Sequence, residues 1–140
     1  MFQKVWKEIA NGHIAPVYVI VGEETYFIDE TLRRLKEKLA EQGELDIMNY
    51  DLEEQLVDEV IDEADTIPFF SDKKLVIAKN TSFLKATEKG KEKLNHDLKK
   101  LERFLQFPSD TSVTVFIAPY PKLDERKKVT KQMKEHALYL

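Results

Sequence analysis

Apolar residues along this chain follow two alternating patterns: short continuous runs and stripes at helical spacing. The runs are typical of strands buried on both faces, and the stripes are typical of helices that bury one face. The runs predict strands at residues 17–21, 45–52, 75–78, 113–118 and 137–140. The stripes consist of Phe2, Val5, Trp6 and Ile9; Ile28, Leu32, Leu35 and Leu39; Leu56, Val57, Val60, Ile61 and Ala64; Leu94, Leu98, Leu101 and Leu105; and Val129 and Met133.

The order of these elements indicates the fold class. A helical stripe precedes the first run and separates each run from the next, which is typical of an α/β fold. We predict a five-stranded, mainly parallel sheet with helices on both faces. Right-handed crossovers leave few topologies for it. The chain has 140 residues and no dividing linker, so residues 1–140 are predicted to form a single domain. Residues 81–90 are expected to be an exposed polar connection, and Asp124 is expected to cap the last helix.

Composition excludes several classes of function. With 22 basic and 26 acidic residues the net charge is -4, which argues against a domain that coats nucleic acid. The absence of cysteine excludes disulfide and thiol chemistry. The run at residues 17–21 is too short to span a bilayer, and the N-terminus lacks the apolar core of a signal peptide. We therefore expect a cytoplasmic protein that does not contact a membrane.

The turn after the first strand departs from a phosphate-binding loop. Such a loop needs several glycines, a lysine and a hydroxyl residue. Only Gly22 is present, and Phe27-Ile28-Asp29 stands where Gly-Lys-Ser/Thr would be required. Glu23 and Glu24 would repel a triphosphate, although they suit the N-terminal end of a helix. The third strand ends in Lys79-Asn80 instead of carboxylates for magnesium. We predict a degenerate nucleotide site with no cofactor, and an NTPase with an unusual site is the alternative.

Other catalytic patterns are also missing. The histidines His13, His96 and His136 are far apart and have no partner at ligand spacing, so no metal site is predicted. The chain contains no Gly-x-Ser-x-Gly elbow, and its paired acids fall on solvated helix faces. No catalytic residue is therefore proposed from the sequence.

Basic residues are concentrated near the C-terminal end, at positions that helical spacing places on one surface. The cluster comprises Lys122, Arg126, Lys127, Lys128, Lys131 and Lys134. It could contact phosphates. It lacks interleaved aromatic residues, however, and the domain is acidic overall, so a solvated helix face is the default interpretation and a DNA-contacting module is an alternative function.

One predicted connection is unusually apolar. The tip (residues 67–71), which reads Ile67-Pro68-Phe69-Phe70-Ser71, lies between a helix ending near residue 65 and a strand starting near residue 74. Connections run over the surface and are ordinarily polar. Proline stiffens the turn, so less entropy is lost when a partner binds. The tip is either a rigid plug for a hydrophobic pocket on a partner, or a segment whose rings fold back beneath the sheet.

Several stretches together resemble one known family, the delta subunit of the bacterial DNA polymerase III clamp loader in its Gram-positive form. The likeness is to the N-terminal domain of that subunit and extends over essentially the whole chain. The stretches are Val5-Trp6-Lys7, Pro16-Val17-Tyr18, Gly22-Glu23-Glu24-Thr25-Tyr26, residues 66–76, Ala118-Pro119-Tyr120 and residues 122–128. The Gly-x-Glu-x-Tyr turn and the Pro-Phe-Phe tip, at this spacing, are the most specific of them.

The resemblance implies an AAA+-like domain that has lost its nucleotide site and performs no catalysis. It implies that Phe69 and Phe70 insert into a pocket of the ring-shaped sliding clamp (beta) and promote opening of the ring, with Ile67 and Pro68 shaping the tip. Several relatives carry Leu-Phe at the Phe69-Phe70 positions, so the shape of the pocket could differ. The resemblance also implies a longer subunit with two further domains, which assembles with the ATP-hydrolysing loader subunits and delta prime.

Overall fold

The structure, a computed structural model, describes residues 2–86 and 94–140. The strands are β1 (Val17–Val21), β2 (Leu45–Asp51), β3 (Lys73–Lys79), β4 (Ser112–Ala118) and β5 (Leu138–Tyr139). The helices are α1 (Phe2–Ala10), α2 (Thr25–Glu41), α3 (Val57–Asp65), α4 (Leu98–Gln106) and α5 (Lys128–His136), with a short 3₁₀ turn at Ser82–Leu84.

The described strands form one parallel sheet in the order β2-β3-β4-β1-β5. Because all strands run in the same direction, their amino ends share one edge of the sheet and their carboxyl ends share the opposite edge. Connections that lead from a helix into a strand therefore lie at the amino edge. The predicted α/β class with a five-stranded parallel sheet is confirmed.

Helices cover both faces of the sheet, as predicted. Val19 and Phe116 face a core closed by α3, α4 and α5. Tyr18 and Val115, their neighbours along the same strands, face a second core closed by α1 and α2. Successive side chains of a strand point to opposite faces, so a strand between two helical layers must be apolar at nearly every position. The continuous runs in the sequence follow from this arrangement.

Two predicted boundaries are wrong. The fourth helical stripe was expected to begin at Leu94, but α4 begins at Leu98, because Asp97 caps it by accepting a 3.0 Å hydrogen bond from Lys100 N. The connection expected to be exposed at residues 81–90 has a buried beginning, since Thr81, Phe83 and Leu84 pack inside the protein. The rest of that prediction, at residues 87–90, lies outside the described residues.

The C-terminal elements also differ in detail from the prediction. Asp124 does not cap α5: its carboxylate accepts a 3.0 Å hydrogen bond from Arg126 N in the preceding turn, and the helix begins only at Lys128. The last strand is shorter than the predicted residues 137–140. Leu140 nevertheless continues the ladder, because its N–H donates to Val19 O and its carbonyl accepts from Val21 N.

Helices α3 and α4 lie side by side and are joined by polar contacts. His96 holds the start of α3, because its Nδ1 accepts a 2.9 Å hydrogen bond from Val57 N. At the next residue of each segment, Asp58 Oδ1 accepts a 3.0 Å bond from Asp97 N. Farther on, Lys100 Nζ lies 2.7 Å from Asp62 Oδ1. These contacts advance in step along both helices, so α3 and α4 run in the same direction and end at the amino edge of the sheet.

Candidate protein-interaction site

The tip projects its aromatic side chains into solvent. Phe69 is 91% exposed and Phe70 is 95% exposed, while Ile67 is 72% exposed. The two phenylalanine rings lie side by side, with centroids 6.4 Å apart and planes tilted by 44°. The interpretation in which the rings fold back beneath the sheet is therefore wrong. Contiguous exposed apolar groups of this kind mark interaction sites.

The first stem of the tip is the end of α3, whose last carbonyl groups need hydrogen-bond donors from outside the helix. Thr66 Oγ1 donates to Asp62 O at 2.6 Å. Ser112 Oγ, from the neighbouring strand β4, donates to Ala64 O at 2.9 Å. Pro68 cannot continue the helix because it has no N–H and its ring clashes with the preceding turn. The helix therefore stops at a fixed place relative to the sheet.

A buried lysine provides the strongest contact at this stem. Lys74 Nζ lies 2.5 Å from Glu63 Oε2 and also donates to Glu63 O at 3.0 Å. Tyr50 OH donates to the other carboxylate oxygen of Glu63 at 3.2 Å. Burial, together with the negative charge of Glu63, raises the pKa of Tyr50 to about 12, so the phenol keeps the proton that it donates. A cation beside the carbonyl end of a helix is also favoured by the helix dipole.

The second stem is the start of β3, which is joined to the start of β2 by reciprocal hydrogen bonds. Asp72 N donates to Glu44 O at 2.9 Å, and Glu44 N donates to Asp72 Oδ2 at 2.9 Å. Ser71 Oγ donates to Asp46 Oδ2 at 2.9 Å. Both ends of the tip are thus fixed, and the exposed side chains between them are held on a short, defined turn.

A glycine makes the reciprocal pairing possible. Gly43 has φ +143°, a conformation that side chains rarely allow. A Cβ at this position would lie 2.6 Å from Asp72 Oδ2. Gly43 therefore serves two purposes, because it ends the segment after α2 and leaves room for the Asp72 carboxylate.

The turn after β1 lies at the opposite edge of the sheet from the tip. Phe27, which stands at the position of the second glycine of a phosphate loop, stacks on Phe2 with ring centroids 4.9 Å apart. Its ring is also 6.1 Å from the ring of Trp6. At the end of β2, Asn80 Nδ2 donates to Asp51 Oδ1 at 3.0 Å, and this bond lowers the pKa of Asp51. In residues 2–86 and 94–140, no group of three or more acidic or histidine side chains is arranged to hold a metal ion.

Comparison with known proteins identifies the family. Residues 18–140 match the family described as DNA polymerase III, delta subunit. The chain belongs to this family. It is 44% identical over 138 residues to the DNA polymerase III subunit delta of Bacillus subtilis, a match that covers 97% of this chain and 40% of the relative. The delta chain thus spans less than half the length of that relative.

Solved structures agree with the assignment. The match with the Bacillus subtilis DNA clamp loader delta protein covers 100% of this chain and 42% of the chain of that protein, with a TM-score of 0.88 and 39% identity. The match with a DNA polymerase III gamma subunit-related protein from Thermotoga maritima covers 99% of this chain and 44% of the chain of that protein, with a TM-score of 0.59 and 15% identity. The second likeness concerns the fold alone. The fold of this chain is thus that of the solved DNA clamp loader delta protein.

The basic cluster of the delta chain does not form one helical face as predicted, because Lys122, Arg126 and Lys127 precede α5. Several residues of the cluster already contact other groups of the same chain. Arg126 Nε lies 3.1 Å from Asp124 Oδ1, and Lys127 Nζ donates to Phe83 O at 2.9 Å. Lys134 forms an ion pair with Glu125. In the described part of the delta chain, no helix has the length and apolar content needed to cross a membrane.

The structure adds residues that the sequence analysis did not single out. Lys74, Glu63 and Asp72 fix the stems of the tip, and a further exposed ring, Phe107, lies at the end of α4. The stem contacts join residues far apart in sequence and leave no local signal. Phe107 had a detectable signal, because it falls outside the apolar stripe of its helix and directly precedes Pro108.

Proposed function

We propose that this delta-subunit chain binds the bacterial sliding clamp through the tip. Phe69 and Phe70 would fill a hydrophobic pocket on the clamp, while Ile67 and Pro68 shape the turn that presents them. The observation that carries the proposal is the near-complete exposure of two adjacent rings on a turn whose stems are both fixed. A preorganised apolar anchor loses little entropy on binding, and central aromatic anchors commonly dominate the energy of an interface.

We further propose that the chain is a non-catalytic part of the loader and that clamp contact promotes opening of the ring. Two residues of the turn after β1 support this view. Phe27, at the position of the second glycine of a phosphate loop, packs against α1. Ile28, at the position of its lysine, is buried. In this proposal residues 1–140 are one domain of a longer subunit, whose later domains assemble with delta prime and the subunits that hydrolyse ATP. Those subunits would supply the energy of loading.

The experiment is calorimetric titration of the purified clamp with the 140-residue chain and with a Phe69→Ala/Phe70→Ala variant. Hot-spot truncations cost roughly 2 kcal/mol or more each, so the variant should bind at least about a hundredfold more weakly. Both side chains lie in solvent, and circular dichroism should show an unchanged fold. Equal binding by both proteins would place the contact elsewhere on the chain.

Ring opening is measured separately with a clamp labelled by a fluorescent pair across one subunit interface. The wild-type chain should separate the labels, and the variant should leave them together at the same concentration. If the wild-type chain binds the clamp but the labels do not separate, the proposed contact is supported and the proposed ring opening is contradicted.

The two alternatives have their own readouts. Magnesium-dependent ATP binding would support the NTPase interpretation. Salt-sensitive binding to duplex DNA that is lost in Lys127→Ala/Lys128→Ala/Lys131→Ala would support the DNA-contacting module. The clamp proposal is preferred because Phe69 and Phe70 are almost fully exposed, whereas Arg126, Lys127 and Lys134 contact the protein itself.

A further inference from the structure

Exposed apolar side chains are concentrated at one edge of this molecule. Among residues 2–86 and 94–140, four large apolar side chains are more than two-thirds exposed: Ile67, Phe69, Phe70 and Phe107. Phe107 is 81% exposed. The first three belong to the tip, and Phe107 belongs to a different connection, between α4 and β4.

The two connections are neighbours in the fold. The tip leads into β3 and the Phe107 connection leads into β4, and these strands are adjacent and parallel. Lys74 N donates to Thr111 O at 3.2 Å, so the sheet ladder already joins them at their first residues. Adjacent strands are about 4.8 Å apart, a distance that one aromatic ring can span.

The helices that precede the two connections also end together. The contacts between Asp58 and Asp97 and between Asp62 and Lys100 keep α3 and α4 in step. Extending this step by about one turn brings Thr66, the residue just after α3, to the level of the last turn of α4. Phe107 therefore emerges on the same side of the molecule as the tip, and at a similar height.

The local backbone holds Phe107 outward. Leu105 and Phe104 pack in the core, whereas Phe107 follows the last residue of α4 and has a non-helical backbone (φ -133°, ψ 66°). Phe107 N donates to Arg103 O at 3.1 Å and closes the helix, and Pro108 prevents its continuation. Like the rings of the tip, this ring stands beside a proline on a short turn with little freedom to refold.

We infer that Phe107 is a second apolar anchor of the surface that carries Phe69 and Phe70, and that the partner covers both connections at once. The inference rests on the proposed function, since it takes the partner to be the sliding clamp. The partner must then present an apolar contact beside the pocket for the tip. The two connections lead into adjacent parallel strands, and this proximity supports one shared occupant in place of two separate sites.

The test compares Phe107→Ala with a matched control, Tyr26→Ala, in calorimetric titrations of the purified clamp. Tyr26 is also an exposed aromatic residue, 63% exposed, but it lies at the start of α2, at the opposite edge of the sheet. We expect Phe107→Ala to weaken clamp binding about tenfold, and Tyr26→Ala to change it less than about twofold. Phe107→Leu, which keeps an apolar group, should recover most of the affinity.

The possible outcomes separate this inference from the proposed function. Suppose that the wild-type chain binds, that Phe69→Ala/Phe70→Ala does not, and that Phe107→Ala binds normally. The inference about Phe107 is then wrong, and the clamp contacts the tip without Phe107. If the wild-type chain does not bind the clamp, the proposed function itself is wrong. Equal losses in Phe107→Ala and Tyr26→Ala would indicate a general effect of removing a surface ring and would also reject the inference. Circular dichroism on each variant confirms that the fold is retained.

Discussion

Lys74 and Glu63 form a partly buried ion pair that joins strand β3 to the last turn of α3, immediately before the tip. The two groups approach to 2.5 Å, and the lysine side chain is only 7% exposed. The same ammonium group also bonds the backbone carbonyl of Glu63. The tip therefore leaves the helix from a point that is fixed to the central region of the sheet.

Replacing this lysine should destabilise the protein. Lys74→Met keeps the length of the side chain but leaves the Glu63 carboxylate without its cation. Removal of one partner from a buried pair costs roughly 3–5 kcal/mol, and because Glu63 stays partly solvated we expect a loss of about 2 kcal/mol in the free energy of unfolding. Urea denaturation measures it. Lys79→Met is the control, since Lys79 lies on the same strand in solvent and should matter by less than about 0.5 kcal/mol. Equal losses in the two variants would contradict a special role for Lys74.

Replacing Gly43, which lies beside the second stem, should also destabilise the protein. Gly43→Ala forces a side chain into a backbone conformation that costs about 1–3 kcal/mol and brings its Cβ against the Asp72 carboxylate. Gly22→Ala is the matched control, because Gly22 has φ +130° and nothing within 4 Å of the added Cβ. Denaturant titrations should show a larger loss for Gly43→Ala than for Gly22→Ala. If Asp72 is the obstacle, the difference should shrink when both variants also carry Asp72→Ala. A difference that Asp72→Ala leaves unchanged would assign the loss to the backbone alone.

Tyrosine ionisation should limit stability at alkaline pH. The pKa of Tyr50 is raised to about 12 from an ordinary value of 10.0, first by burial and then by the charge of Glu63. The unfolded chain therefore releases this proton at lower pH than the folded chain. The resulting stabilisation is complete below about pH 10 and is lost as pH rises towards 12.

The measurement is the free energy of unfolding of the wild type and of Tyr50→Phe, from about pH 9 to pH 11.5. Lysine titration is common to both proteins, so the difference between their slopes reports Tyr50. We expect a shallower decline for Tyr50→Phe. Tyr26→Phe, which alters an exposed ring, should follow the wild type. Parallel curves for Tyr50→Phe and the wild type would show that ionisation of Tyr50 does not contribute.

The sheet was predictable from sequence because the strands are covered on both faces. Val76 and Phe116 belong to continuous apolar runs, and in a chain of alternating elements such short runs are typical of strands buried between two helical layers. The ends of the strands were less predictable. Strand β3 begins at Lys73, two residues before the apolar run, because pairing with Leu45 and Ser112 extends the ladder through polar residues.

The tip was identified from sequence, but its support was not. Two phenylalanines after a proline in a connection are unusual by composition alone. The groups that hold the tip are distant along the chain: Ser112 is 48 residues from Ala64, and Asp72 is 28 residues from Glu44. A single sequence does not reveal such pairings, because the hydrogen bonds depend on how the helices pack against the sheet.

The position of β3 has a mechanical consequence. This strand continues from the tip into the sheet, with β2 paired along one side and β4 along the other. A force applied at Phe69 or Phe70 along the strand is shared at once by both ladders, and many backbone hydrogen bonds resist it together in shear. The domain should therefore move as a rigid body together with the two rings when a partner binds them. Only the few residues of the tip can deform between the rings and the sheet.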